Sequence, residues 1–253
     1  MTTLFISDLH LDERRPQITE LFLHFLATEA RQADTLYILG DLFEFWSGDD
    51  ISNPLNDSVQ DGLKALTASG VKCFLVKGNR DFLVSKRFAK RTGITILGDY
   101  TAIVLDGQQI LLAHGDTLCT LDEKYQAFRA AVNIPWRQKL FTCLPIFVRE
   151  AIADKIRGKS KEGNQQKSMS IMDVTESEVI NKMQEYQCDI LIHGHTHKPN
   201  IHDVTLSSDK TGKRIVLGDW FEQGSVLIWS DGQYDLQQRA FLKEQAEDKK
   251  HDQ

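Results

Sequence analysis

Five times along this chain a short apolar run ends in a small polar cluster. Leu4-Phe5-Ile6 precedes Asp8-Leu9-His10, and Leu36-Tyr37-Ile38-Leu39 precedes Gly40-Asp41. Cys73-Phe74-Leu75-Val76 precedes Gly78-Asn79-Arg80-Asp81, and Ile110-Leu111-Leu112-Ala113 precedes His114-Gly115-Asp116. Ile190-Leu191-Ile192 precedes His193-Gly194-His195-Thr196-His197. Runs this short, bounded by turn residues, read as strands buried on both faces. Helical patterns separate them. Ile18, Leu21, Phe22, Phe25 and Leu26 share one face of a helix predicted over 17–31, while Val59, Leu63 and Leu66 mark a second and Val179, Met183 and Tyr186 a third. Strand–helix alternation predicts α/β layers, in which ligand residues gather beyond the carboxyl ends of the strands. Five clusters far apart in sequence are therefore expected to converge. Two more strands are expected at 214–218 and 225–229, with Asp231-Gly232 as a turn. Residues 243–253, nearly all charged or amide-bearing, read as a disordered tail.

Composition removes several classes. With 253 residues, 41% hydrophobic, and a net charge of −6, the chain can bury a full core and is not a disordered protein. The four cysteines, at 73, 119, 143 and 188, form no C-x-x-C pair, which points to thiols in a reducing compartment. No secretory signal and no run of about 20 apolar residues is visible. The acidic total argues against a nucleic-acid partner. That total hides an asymmetry: residues 124–167 carry ten Lys or Arg against three acids, +7 locally and −13 elsewhere. From His114 to His195 is 81 residues, far beyond the dozen or so that a crossover needs. Residues 120–168 are thus expected to be an insertion over the strand ends of a domain spanning 1–242.

The strand-end residues Asp8, His10, Asp41, Asn79, His114, His195 and His197 offer two carboxylates, one amide oxygen and four imidazoles. Seven mixed ligands exceed one tetrahedral ion and suit two five- or six-coordinate divalent ions sharing a carboxylate. Oxygen with imidazole favours Mn2+, Fe2+ or Zn2+ over Ca2+. Two such ions and two aspartates leave a charge of about +2 for a phosphate and an activated water, the arrangement used for in-line displacement at phosphorus. A lone His-x-His or Asp-x-His is as easily a surface or core feature. The whole set, in order at five strand ends, is not what packing alone produces. His24, His202 and His251 lack partner motifs and read as structural. His193, ending its strand, reads as a support for the ligands beside it.

These blocks resemble the calcineurin-like metallophosphoesterases, whose motifs run D-x-H, G-D-x-x-D, G-N-H-D/E, H and G-H-x-H. The resemblance spans residues 8–197. It implies a four-layer αββα sandwich in which Asp8, His10 and His197 hold one metal, Asn79, His114 and His195 the other, and Asp41 bridges them. Two positions depart from the pattern. Glu44 stands where an Asp is usual, and Arg80 replaces the histidine that acts as general acid in many members. An arginine cannot donate a proton at neutral pH. The leaving group should therefore be acidic already, as in a phosphoanhydride, with Arg80 clamping phosphate oxygens.

Longer stretches resemble one branch, the UDP-2,3-diacylglucosamine pyrophosphohydrolases of lipid A biosynthesis. They include Asp41-Leu42-Phe43-Glu44-Phe45-Trp46, His114-Gly115-Asp116-Thr117-Leu118-Cys119, Tyr125-Gln126-Ala127-Phe128-Arg129, Pro135-Trp136 and Ile171-Met172-Asp173-Val174. The resemblance implies two Mn2+ ions and cleavage of the substrate's pyrophosphate to UMP and 2,3-diacylglucosamine 1-phosphate, with attack on the uridine-side phosphorus. It also assigns substrate contacts to Asp122, Tyr125, Ser160, Asn164 and Lys167, while Asn79, Arg80 and His195 are expected to be the catalytic residues, contacting the substrate and stabilising the charge that develops on it. The insertion fits such a substrate. Trp136, Leu140, Phe141, Leu144, Ile146, Phe147, Val148, Ile152 and Ile156 offer apolar surface for acyl chains, and basic residues from Arg149 to Lys167 suit anionic head groups. By composition alone the segment reads equally as a helical hairpin packed on the domain; above a dinuclear site it reads as a lid. The expected setting is the cytoplasmic face of an inner membrane, with peripheral attachment and no protein partner implied. A soluble nucleotide pyrophosphatase or phosphodiesterase on the same core remains the alternative.

Overall fold

The structure, a computed structural model, describes residues 1–165 and 173–241, and side chains for these except 157–165. The first three apolar runs become β1 (Thr3–Ile6), β2 (Thr35–Leu39) and β3 (Lys72–Val76). The two-residue β4 (Thr95–Ile96) and β5 (Tyr100–Leu105) follow. Then come β6 (Gln108–Ala113), β7 (Ile190–His193), β8 (Asn200–Ser207), β9 (Lys210–Val216), β10 (Gly224–Ser230) and β11 (Gln233–Arg239). One sheet has the order β11-β10-β1-β2-β3-β4, the other β5-β6-β7-β9-β8. Within them β1, β2 and β3 run parallel, as do β6, β7 and β9.

Alternation along the strands builds the layers, because successive side chains point to opposite faces. On β1, Leu4 and Ile6 join α1 (Pro16–Ala27) and α2 (Pro54–Ala68) in one core, which also takes Phe88 of α3 (Lys86–Thr92). Phe5 between them faces the other way. It meets Ile110, Leu112, Ile192 and Trp229 in a second core between the sheets. The far face of the second sheet places Leu111 and Leu191 against Val179 and Met183 of α7 (Glu176–Glu185). The result is helix, sheet, sheet, helix: the four-layer α/β sandwich.

The structure refines the expected elements in three places. The first helix stops at Ala27, where the Thr28 hydroxyl donates to the His24 carbonyl, and a single 3-10 turn at Ala30–Gln32 follows. The second helix is fixed at its start by Asn53, whose side chain accepts from the Asn56 amide at 2.7 Å ahead of Pro54. Strands β5, β8 and β11 escape the apolar-run criterion because they lie at sheet edges and are half-exposed.

Between β6 and β7 stand α4 (Glu123–Val132), α5 (Pro135–Thr142) and α6 (Ile146–Gln165), ahead of α7. Helices α4 and α5 bury no residue fully. Trp136, Leu140 and Phe147 are 62%, 61% and 72% exposed, so this segment presents apolar surface outward. Its anchor is Arg149, a fully buried residue of α6 whose Nη1 donates to the Ser47 carbonyl and to Asp50 Oδ1, each at 2.8 Å. Among the described residues no helix is long and apolar enough to cross a membrane.

Candidate metal centre

Every expected ligand follows the carboxyl end of a strand: Asp8 and His10 after β1, Asp41 after β2, Asn79 after β3, His114 after β6, His195 and His197 after β7. The structure brings them together. Asp8, His10 and His197 have ligand atoms within 4.8 Å of one another, and so do Asp8, Asp41 and His114. His10 Nε2 lies 3.3 Å from His197 Nε2, and His114 Nε2 lies 3.0 Å from Asn79 Oδ1. Asp41 Oδ2 stands between the groups, 3.7 Å from His10 Nε2 and 3.6 Å from His114 Nε2, the place a bridging carboxylate must take. The His195 ring lies 5.1 Å from that of His114, centroid to centroid, and its amide donates to Asp8 Oδ2 at 2.9 Å.

The approach is close enough to exclude side chains between the ligands. A Cβ on Gly40 would overlap the His114 ring, one on Gly78 would overlap Asp41, and one on Gly194 would overlap Asp8 and Ser7. Five of the eight described non-glycine residues with positive φ are Asp8, His10, Asp41, His195 and His197. Each such residue costs roughly 1–3 kcal/mol, and backbone strain of this kind gathers where side chains must be aimed.

Two observations show that these residues fit divalent ions. Asp8 Oδ2 accepts from Ser7 Oγ and the His195 amide, while Oδ1 is buried, takes no backbone or hydroxyl donor, and faces His197 Nε2 at 3.4 Å. Three imidazoles also have their outer nitrogens held: His10 Nδ1 by Glu44 Oε2 at 2.9 Å, His197 Nδ1 by Asp219 Oδ2 at 3.2 Å, and His114 Nδ1 by the Leu39 carbonyl at 2.8 Å. That leaves each Nε2 to face the cluster, as metal-ligating histidines do. Burial pushes the Asp8 carboxyl up, but the imidazoles of His197, His114 and His10 outweigh it and hold it well below the usual range. Burial alone would depress His114 and His197. The Asp41, Asp8 and Asp116 carboxylates hold His114 up to about 9, and Asp219 and Asp8 hold His197 up to about 10. Burial and the His114 charge depress His195 to about 4.

Around the cluster, the Arg80 amide donates to Asp41 Oδ1 at 2.8 Å, and its guanidinium lies 3.9 Å from Glu44 with Nε buried and unpartnered. Tyr125 stacks on His195 with centroids 6.4 Å apart, and its hydroxyl donates to Asp116, which Arg129 Nε also contacts at 2.6 Å. Asp122 caps α4, accepting from the Tyr125 amide at 3.2 Å. Ser160, Asn164 and Lys167 lie outside the residues whose side chains are described. His193 is buried with Nδ1 2.8 Å from the Gly194 carbonyl oxygen; His24 is exposed. Sequence reasoning missed Asp219 and Phe221. The latter packs on His10 and His197 at 5.2 and 5.3 Å. A signal existed: Ile215-Val216-Leu217-Gly218-Asp219 repeats the pattern of Ile38-Leu39-Gly40-Asp41.

A fold of two facing sheets with carboxylates and imidazoles at their parallel strand ends is that of a metallophosphoesterase. The model of the calcineurin-like phosphoesterase family matches residues 1–199, and the chain belongs to that family. More particularly, it is 54% identical to an Aliivibrio fischeri protein named UDP-2,3-diacylglucosamine hydrolase, over 95% of this chain and 100% of that one. Proteins of the same name from Aeromonas hydrophila and Escherichia coli are each 52% identical, covering 96% and 90% of this chain and 100% and 94% of theirs. A solved archaeal phosphodiesterase superposes with a TM-score of 0.47 at 12% identity, over 94% of this chain and 99% of that one.

Proposed function

We propose that this protein hydrolyses the pyrophosphate bond of UDP-2,3-diacylglucosamine, releasing UMP and 2,3-diacylglucosamine 1-phosphate in lipid A biosynthesis. The observation that carries the reading is identity of 52–54%, over at least nine-tenths of the chain, to relatives bearing that substrate's name. Asp8, His10 and His197 would hold one Mn2+, and Asn79, His114 and His195 the other, with Asp41 between them. Two divalent ions there would supply an activated water and Lewis-acid stabilisation for in-line displacement at phosphorus. The chain's residues do the rest. Asn79 and His195 position phosphate oxygens, and Arg80 adds a fixed positive charge where negative charge develops. No residue need protonate the leaving group, since a phosphate leaves as an anion. That suits an arginine at this position.

In the same reading residues 1–242 form the phosphoesterase domain and 120–168 its lid. The lid receives acyl chains on its apolar face and rests on the cytoplasmic face of the inner membrane. Asp122, Tyr125, Ser160, Asn164 and Lys167 would contact the glucosamine, phosphate or base. Turnover in 18O-labelled water with Mn2+ is expected to place the label in UMP and none in the lipid product. Equal rates on UDP-sugars with and without acyl chains would instead favour a soluble nucleotide pyrophosphatase.

A further inference from the structure

The two halves of the centre are not equivalent. In the first, both imidazoles lean on carboxylates: His10 Nδ1 meets Glu44 Oε2 at 2.9 Å and His197 Nδ1 meets Asp219 Oδ2 at 3.2 Å. In the second, His114 Nδ1 meets a neutral group, the Leu39 carbonyl, at 2.8 Å. A carboxylate behind a histidine fixes its tautomer and makes it a stronger ligand. The ligands themselves differ in the same sense. Asp8 Oδ1 lies 3.4 Å from His197 Nε2 and 4.0 Å from His10 Nε2, whereas the oxygen nearest His114 Nε2, at 3.0 Å, is the neutral amide oxygen of Asn79.

The first half is also walled before any ion arrives. The loop after β9 places Phe221 against both imidazoles at 5.2 and 5.3 Å, and the Trp220 amide donates to the Asp8 carbonyl at 3.2 Å. Arg15 covers the outer face of Phe221 at 4.3 Å. Rings held this way lose little freedom on binding.

We propose that the Asp8–His10–His197 site is the tighter of the two and fills first, and that Asp219 is the positioning residue that makes it so through His197. This deepens the dimetal reading and rests on it. The test is titration of the full-length, metal-free protein with MnCl2, followed by calorimetry and by electron paramagnetic resonance. Two separable steps are expected. The first equivalent should give the spectrum of an isolated Mn2+, and the second that of a spin-coupled pair. Asp219→Asn, an isosteric change at a side chain 23% exposed, should weaken the first step by about 10–100-fold and leave the second in place, so that the steps merge. Glu44→Gln should act in the same direction through His10 and is an independent check. Two indistinguishable steps in the wild type, or wild-type titration by Asp219→Asn, would overturn the proposal while leaving a dinuclear centre standing. A wild type that takes up no Mn2+ would bring down the dimetal reading and this one together.

Discussion

Gly194→Ala isolates close approach from every other property of the site. The backbone of Gly194 is not in the left-handed region, so alanine brings no conformational penalty there. The whole effect must come from space. A Cβ on Gly194 would sit 2.7 Å from the Cβ of Ser7 and would overlap Asp8 Oδ2. Carbon atoms rest at roughly 3.5–4.0 Å, so the β1 and β7 strand ends must part by about 1 Å. Overpacking of this kind costs about 1–3 kcal/mol of stability. The displacement falls on Asp8 and on the His195 amide that donates to it, and a shift of about 1 Å in such a site costs about 100-fold in rate. Gly107→Ala is the control. It has φ +80° and no atom within 4 Å of where its new methyl would stand, so it should lose about 1–2 kcal/mol of stability with unchanged Mn2+ affinity. The assays are thermal melting, Mn2+ titration and kcat on the diacylated substrate. If Gly194→Ala melts lower but binds Mn2+ and turns over like the wild type, the account of why glycine stands beside Asp8 is wrong.

Other outcomes follow from the same geometry. Asp41→Ala or His114→Ala should abolish turnover with far-UV circular dichroism unchanged, and near-normal activity in either would refute the ligand set. Arg80→His should gain hydrolysis of simple phosphate monoesters while keeping anhydride activity, as measured with a chromogenic monoester and the nucleotide substrate. Arg149→Met removes the three hydrogen bonds, two of them to the Asp50 carboxylate, that hold α6 to the Ser47–Asp50 loop. It should speed proteolysis around 146–156 and raise KM for the diacylated substrate about tenfold, the equivalent of about 1.4 kcal/mol, with kcat little changed. In the ion-free protein His114 and His197 are held up to about 9 and about 10, above the ordinary 6.5. Their stabilisation is complete below about pH 6.5 and lost as pH rises through about 9–10, so the melting temperature of the ion-free protein should fall across that window. Mn2+ needs the neutral rings, so its affinity should rise over the same range.

The sandwich was legible because its central strands are short and wholly apolar, and each ends where its ligand begins. Asp8, Asp41 and His114 are recognisable from that punctuation alone. Edge strands were not, since β8 and β11 alternate with charged and amide residues that look like loop. Supporting residues were harder still. Glu44 drew notice only as a departure, yet its carboxylate holds His10. Asp219 followed the same Gly-Asp rule as Asp41, but it lies beyond a strand whose end carries no histidine. Nothing in composition distinguishes Arg149, one basic residue among ten, from its solvated neighbours. Only the fold shows it buried against the loop that follows Asp41 and Glu44.

Residues from five strand ends are proposed to hold two ions around one shared carboxylate. Anomalous scattering from crystals grown with Mn2+ tests it most directly. Two peaks about 3.5–4 Å apart are expected. One should lie among Asp8, His10 and His197, the other among Asn79, His114 and His195, with Asp41 touching both. A single peak, or a pair that leaves Asp41 unbound, would contradict it.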